Sequence, residues 1–407
     1  MFPLLRRRNF ALLWFGGLIS LLGDRVLLIA LPYFVYQETG STLASAIMVA
    51  AELLPRVLFG SVAGVFVDRW NRRDVMVITS IAQGVVILPL LWVHSGETIW
   101  LVYVVSFLQT ALALFFGPAE NALLPLLVGE ADLVAANSLN ALNNNLARLI
   151  GPPLGGVILA VWGLSGVVLF DSLSFIVAGL MIRAIQSAEA RVPEATPAEA
   201  TASPGKSRFW EEWLQGIDIV RRNRVIAVLF ITVVLLNFGG IMIDPLFAPF
   251  VEDVLQASAA MYGLLITVQA VGGIVAGLIA SRVSQRMSTA AMYGWMELIL
   301  GLILFVRYNI TDIGVQFAGS LLTGLIATLG IAALETLFQQ KIPNSHLGRI
   351  SGALNTTVGF TSFFGVLGIS GILGETLGVV PVLNIAAAVT LTTGLIALFF
   401  LSEKKQV

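Results

Sequence analysis

GSVAGVFVDRWNRR, residues 60–73, closes an apolar helix in a charged turn, and GIVAGLIASRVSQR, residues 273–286, repeats its outline. Gly60, Ala63, Gly64, Arg69 and Arg73 return as Gly273, Ala276, Gly277, Arg282 and Arg286. A chain that carries the same helix-loop-helix joint twice is a duplication, the construction common to proteins that move by rocking one half against the other. The repeat continues outward at nearly the same offset: Arg8 and Asn9 match Arg222 and Asn223, and Glu120 with Leu139 and Asn140 matches Glu335 with Leu354 and Asn355.

Composition sets the environment. Of 407 residues, 57% are apolar and only 12% are charged, about half the roughly 25% charged content of a soluble domain. A soluble fold could not clothe its surface with so few charges. The apolar residues come in continuous runs of about twenty or more, enough to cross a hydrocarbon core of about 30 Å as helices rather than as the alternating strands of a barrel. Net charge of -1 implies no nucleic-acid partner, and the absence of cysteine excludes disulfides, thiolate chemistry and cysteine metal sites. Arg6, Arg7 and Arg8 precede an apolar run too long for a signal core, so 10–36 reads as a retained first helix.

Breaks at charges, Gly and Pro give roughly twelve spans: 10–36, 43–67, 74–94, 99–127, 135–161, 165–186, 225–250, 259–281, 288–306, 313–340, 347–373 and 379–401. The expected fold is an all-α polytopic membrane protein with two pseudo-symmetric six-helix bundles, 1–186 and 225–407. Between them, 187–224 reads as a cytoplasmic linker. Its Ala, Glu, Pro and Thr suit a flexible chain, and Phe209, Trp213, Ile217 and Val220 give its end one apolar helical face. With both termini cytoplasmic, every one of the 23 Lys and Arg residues falls on inner segments except Arg25, Arg56 and Arg148, inside spans, and Arg307, near an outer end. Basic residues are retained on that side, so the location expected is the inner (plasma) membrane.

These residues resemble a known family, the major facilitator superfamily, over nearly the whole chain. Gly60, Gly64, Asp68, Arg69, Arg72 and Arg73 look like its inner-gate signature, and Gly151, Pro152, Pro153, Gly155 and Gly156 resemble the antiporter signature of its drug-exporting branches. Ala147 stands where that signature carries a glycine. PAENALLPLLV (118–128) and FQQKIPNSHLGRISG (338–352) are similar to macrolide and siderophore exporters. The resemblance implies efflux of small amphiphilic molecules by proton antiport, with no ATP and no cofactor. The runner-up readings are a lysophospholipid flippase of the same fold and a transport-dead receptor.

Physical reasons accompany both signatures. Asp68 ends a helix where a carboxylate can face an arginine or a helix N-terminus, and Arg69, Arg72 and Arg73 are placed to pair with acids across the inner mouth as a latch. Ser281 replaces Asp68 in the second copy. Two prolines and three glycines within 151–156 remove backbone donors and side-chain bulk together, predicting a bend and a close helix contact.

Ionisable groups inside hydrocarbon are expensive and therefore functional candidates. Asp24 and Arg25 in span one, Glu52 and Arg56 in span two, Arg148 in span five and Asp171 in span six stand out. At 1.5 Å per residue, Asp24 lies about 22 Å from the inner end of its helix, Glu52 and Arg56 roughly 23 and 17 Å from theirs, and Arg148 about 20 Å from its own. A carboxylate whose proton affinity changes with hydration and with the approach of an arginine can take up and release a proton as a cavity alternates. Asp24 is the first expectation for that role and Glu52 the second; a permanent ion network locking the helices is the alternative. Glu120, Glu335, Asp244 and Glu297 rank below them, the last two read as hydrated near helix ends. An enzyme is not expected: there is no H-E-x-x-H, no phosphate-binding G-x-x-x-x-G-K motif and no histidine in a span. The expected partners are a small substrate, protons and the bilayer, and the expected state is a monomer.

Overall fold

The computed structural model describes residues 2–67, 70–186, 217–342 and 344–401, with the backbone alone at 2, 60–67 and 344–349. Among the described residues it is helical throughout. Helices α1 (Arg8–Thr39), α2 (Thr42–Val67), α3 (Arg72–Val86) and α4 (Trp100–Val128) are followed by one 51-residue helix, Leu133–Arg183. That helix would measure about 77 Å if straight, more than twice a hydrocarbon core. It is interrupted once, at Gly163, whose φ of 63° and ψ of -167° suit only glycine. The break divides it into α5 (133–162) and α6 (164–183), where the sequence predicts a turn. The second half holds α7 (Arg224–Pro249), α8 (Ala259–Ser284), α9 (Thr289–Asn309), α10 (Ile313–Lys341), α11 (Asn344–Gly365) and α12 (Val379–Phe400). Eleven described helices are long and apolar enough to cross a membrane; the one containing Gly163 counts twice, which gives twelve crossings.

Local chemistry explains the ends. Asn71, Asn223, Ser288 and Asp312 cap α3, α7, α9 and α10 by accepting backbone N–H bonds at 3.0–3.3 Å, satisfying donors that a helix start leaves open. Gly40 closes α1 in the left-handed conformation and returns its N–H to Tyr36 O at 2.7 Å. α3 stops earlier than expected because Pro89 cannot continue the hydrogen-bond ladder, and the chain goes on as a short 3-10 turn, Leu88–Trp92.

The chain groups into two compact units: Met1–Gly40, Ile47–Ala198 and Ala257–Thr267 form the first, and Ser41–Ala46, Glu199–Gln256 and Val268–Val407 the second. In the first, one apolar core joins the start of α1 (Phe10, Leu13), the start of α3 (Val75, Met76), the end of α4 (Leu123, Leu127), the start of α5 (Ala136, Leu139) and the end of α6 (Ile182). Odd helices begin where even ones finish, as antiparallel succession through short loops requires. In the second unit the core joins the start of α7 (Ile226, Phe230), Ile342 after α10 and the start of α11 (Ile350, Leu354). Leu139 and Leu354, paired in the sequence repeat, thus occupy corresponding cores. Arg222 and Asn223 do not match Arg8 and Asn9 in detail: Asn223 caps α7, whereas Asn9 Oδ1 accepts the N–H of Gln186 at 3.3 Å.

Candidate functional site

Three consecutive residues of α1 build the site, and each faces a different neighbour. Gly23 leaves the space that Asp171 and Ser174 of α6 occupy; a Cβ there would collide with Ser174 Oγ and Asp171 Oδ1. Arg25 packs its Cβ against Gly151 of α5 in the same way. Asp24, between them, is half-buried and lines two cavities. The glycines therefore bring α1 close enough to α5 and α6 to hold an acid and a base on its remaining face.

The first cavity, about 220 Å³, brings together Asp24, Arg25, Glu52 and Arg56, the four groups that helical rise places at one level. Ser106 and Gln109 of α4 complete its polar wall, and Ser106 Oγ and both amide atoms of Gln109 have no hydrogen-bond partner. The second cavity, about 360 Å³, contains no Lys or Arg among the described residues. Its walls carry Glu120 and Asn121 of α4 and Asn137, Asn140, Asn143 and Asn144 of α5, with Phe116 and Phe175 among the apolar residues. Leu21, Asp24, Gln83 and Ala113 belong to both cavities.

The asparagines did not stand out in the sequence, although the signal is present. Asn137, Asn140 and Asn144 repeat at i, i+3 and i+7, one face of a helix. Asn140 Nδ2 donates to Glu120 Oε1 at 3.2 Å, and Asn144 Nδ2 to Asn140 O at 3.1 Å. Asn143 is 3% exposed; its Nδ2 donates to Trp14 O at 2.9 Å, which leaves Oδ1 without a partner. Trp14 Nε1 in turn donates to Leu139 O at 2.9 Å, so this pair of bonds fastens α1 to α5 below the cavity. Phe116 reaches the wall, while Trp14 is a packing residue.

Two of the expected cluster members lie outside both cavities. Asp171 is completely buried under Gly23; Ser174 Oγ donates to its Oδ1 at 3.3 Å, and Oδ2 has no partner. Arg148 is exposed on α5 and acts on Arg25 as a neighbouring like charge. Glu297, expected to be hydrated, is 1% exposed and packs on Gly330 of α10, whereas Asp244 is exposed on α7. Arg307 is 2% exposed: Nε donates to Gln316 Oε1 at 3.2 Å, and the guanidinium lies 4.9 Å from the Phe247 ring centre.

The two sequence signatures have local jobs. In 151–156 the backbone keeps helical dihedrals through Pro152 and Pro153. Close packing is present: a Cβ on Gly155 would lie 2.9 Å from Val26 O, and one on Gly156 2.7 Å from Ala259 O, within the first unit. In 60–73, Asp68 and Arg69 fall outside the described residues, and Gly60 and Gly64 are described only as helical backbone. Arg73 turns to its own half, donating to Ile185 O at 3.0 Å and pairing with Asp74 at 3.0 Å. A cation at the carbonyl end of a helix is favourably placed. Arg72 Nε is buried without a partner. Most of the predicted amphipathic stretch before α7 also falls outside the described residues, which resume at Ile217.

Comparison with known proteins places this architecture. A family model described as transmembrane secretion effector, of the major facilitator type, matches residues 1–406. The chain is 28% identical over 402 residues to the multidrug efflux pump Tap of Mycobacterium bovis, covering 95% of this chain and 92% of that protein. It is 22% identical over 375 residues to macrolide efflux protein A of Streptococcus pyogenes, covering 91% and 90%. Among solved structures it is similar to a bacterial homologue of the iron transporter ferroportin in the inward-facing state, with TM-score 0.78 and 16% identity over 97% of this chain and 99% of that one. It is also similar to the nucleoside transporter NupG, with TM-score 0.76 and 12% identity over 97% and 100%. The chain belongs to the transmembrane secretion effector family of the major facilitator superfamily and is a multi-pass membrane transporter rather than an enzyme.

Proposed function

We propose that the protein is a secondary active exporter of small amphiphilic molecules that exchanges them for protons by alternating access. The observation that carries this reading is that one carboxylate, Asp24, stands in the walls of two unlike cavities. One holds Arg25, Glu52 and Arg56, and the other is amide-lined, with no cation among the described residues. A proton or a cationic cargo can neutralise Asp24, and they cannot do so at once. Binding one therefore releases the other, which is the requirement for exchange. Glu52 is the second proton-binding group in this reading. Arg25 and Arg56 share the first cavity with both carboxylates, and Asp171 holds a further acidic group under Gly23.

The names of the relatives, a multidrug efflux pump and a macrolide efflux protein, support export. In this proposal 1–186 and 225–407 form the moving halves, joined by 187–224, with both termini on the cytoplasmic side of the inner membrane and one chain as the working unit. The motif at Gly60, Gly64, Asp68, Arg69, Arg72 and Arg73 governs the inner gate. The motif at Gly151, Pro152, Pro153, Gly155 and Gly156 seals the contact on α1. The test is reconstitution of the full chain in vesicles with an imposed pH gradient and a panel of dyes and macrolides. Gradient-dependent movement of at least one cargo, with counter-movement of protons, is expected. Cargo movement that ignores the gradient would refute proton exchange, and movement of labelled lysolipid alone would favour the flippase.

A further inference from the structure

The smaller cavity, the one that holds Arg25 and Arg56, is lined by polar groups left without partners. Asp24 and Arg25 reach it from α1, Glu52 and Arg56 at i and i+4 from α2, and Ser106 and Gln109 at i and i+3 from α4. Ser106 is 4% exposed, yet its Oγ has no hydrogen-bond partner, and the oxygen and nitrogen of the Gln109 amide are both buried and unpaired. Leaving buried donors and acceptors unmade is costly, and such groups are expected where a ligand supplies the missing bond. Among the described residues no ion pair joins Asp24 to Arg25 or Arg56, although all three line the same space. That space is about 220 Å³, below the roughly 300–1,000 Å³ of sites for drug-sized ligands. It holds about seven waters at roughly 30 Å³ each, the bulk of a small amino acid rather than of a macrolide.

We propose that this cavity is a binding site for a small zwitterion, an α-amino acid with an aliphatic side chain. The charges on its described wall are two acids and two bases. A ligand of one sign would unbalance them at membrane depth, where a net charge is expensive, whereas a ligand with both signs leaves the sum at zero. The ammonium sits toward Asp24 and Glu52 and the carboxylate toward Arg25 and Arg56, whose guanidinium groups match a carboxylate in geometry and charge. Ser106 Oγ and the Gln109 amide complete the hydrogen bonds, and Leu27, Leu28, Leu31 and Val105 give the side chain an apolar wall. A ligand that lacks either charge leaves buried partners unpaired, which is how a site built on hydrogen bonds rejects analogues. The ligand class is carried by the walls of the cavity and goes beyond proton exchange, on which it does not depend.

The experiment measures equilibrium binding to the full chain in lipid nanodiscs at about pH 6, where an α-amine is charged. The three probes share one aliphatic group: leucine carries both charges, leucinamide only the cation, and 4-methylpentanoate only the anion. Leucine should bind, and each single-charge probe should bind at least about tenfold more weakly. Arg56→Gln, at an exposed position that needs no repacking, should weaken leucine about ten- to a hundredfold, the worth of a charge-assisted hydrogen bond, without weakening leucinamide. Gln109→Met keeps the bulk of the side chain and removes its amide, and should weaken leucine about three- to tenfold. Absence of leucine binding would mean that the four charges serve only one another, and it overturns the proposal. A single-charge probe that binds as tightly as leucine, or an unchanged leucine affinity in both variants, overturns it as well. Gradient-driven movement of a cationic cargo without leucine binding would overturn the zwitterion site and leave exchange standing. Leucine binding with no cargo moved by a gradient would do the reverse.

Discussion

Replacing Gly151 and Gly155 together by alanine tests how closely α1 must approach α5 to form the site. The new Cβ at 155 would lie 2.9 Å from Val26 O and 3.1 Å from Val26 Cα, and the one at 151 would overlap Arg25 Cβ. These are backbone and first side-chain atoms, which cannot turn aside. Ordinary carbon contacts lie at about 3.5–4.0 Å, so α1 must retreat by roughly 0.5–1 Å. Overpacking of this kind costs about 1–3 kcal/mol per site, and glycine to alanine in a helix returns about 1 kcal/mol of propensity, leaving a net loss of roughly 0–2 kcal/mol each. Gly240→Ala in α7 is the control, because nothing lies within 4 Å of its Cβ position and only the propensity gain remains. Thermal unfolding in detergent should show the double variant below the parent and Gly240→Ala at or above it. A double variant more stable than the parent, as propensity alone would make it, would refute the close-contact account of the 151–156 motif.

Gly163→Ala should cost about 1–2 kcal/mol although its Cβ meets nothing within 4 Å, because only the backbone at φ 63° is strained; unfolding at the parent temperature would count against a fixed break there. Trp14→Phe keeps a buried ring but removes the indole N–H bond to the Leu139 carbonyl, which retains its helical partner, and chemical denaturation should show a loss of about 0.5–1.5 kcal/mol. Arg73→Ala removes the bond to Ile185 O and the pair with Asp74. Hydrogen exchange should then rise at the end of α6, and an unchanged pattern there would mean that Arg73 works elsewhere.

Helix number and the level of the charges were legible in the sequence, because both depend on quantities that a chain carries locally. Apolar run length counts the crossings, and a rise of 1.5 Å per residue places Asp24, Arg25, Glu52 and Arg56 at one depth. The position of the break at Gly163 followed from the same run lengths. Lateral facts were less accessible. That Asp171 lies under Gly23 and Arg148 outside the cavities depends on helix rotation, which weakly amphipathic membrane helices do not record. Glu297 departs from expectation because distance from a helix end measures depth, whereas burial depends on neighbours such as Gly330. The asparagine wall was overlooked because uncharged amides do not interrupt an apolar run, yet their i, i+3, i+7 spacing was available.

The central claim is that Asp24 is the carboxylate at which proton and cargo exchange, and Asp24→Asn tests it most directly. The substitution keeps the size and hydrogen-bonding capacity of the side chain while removing its charge and its proton. In vesicles with an imposed pH gradient, the account predicts that Asp24→Asn abolishes gradient-driven accumulation of a cationic cargo, whereas facilitated movement down the cargo's own gradient persists at a reduced level. Accumulation at the parent rate and with the parent pH dependence would contradict it and remove Asp24 from the coupling mechanism.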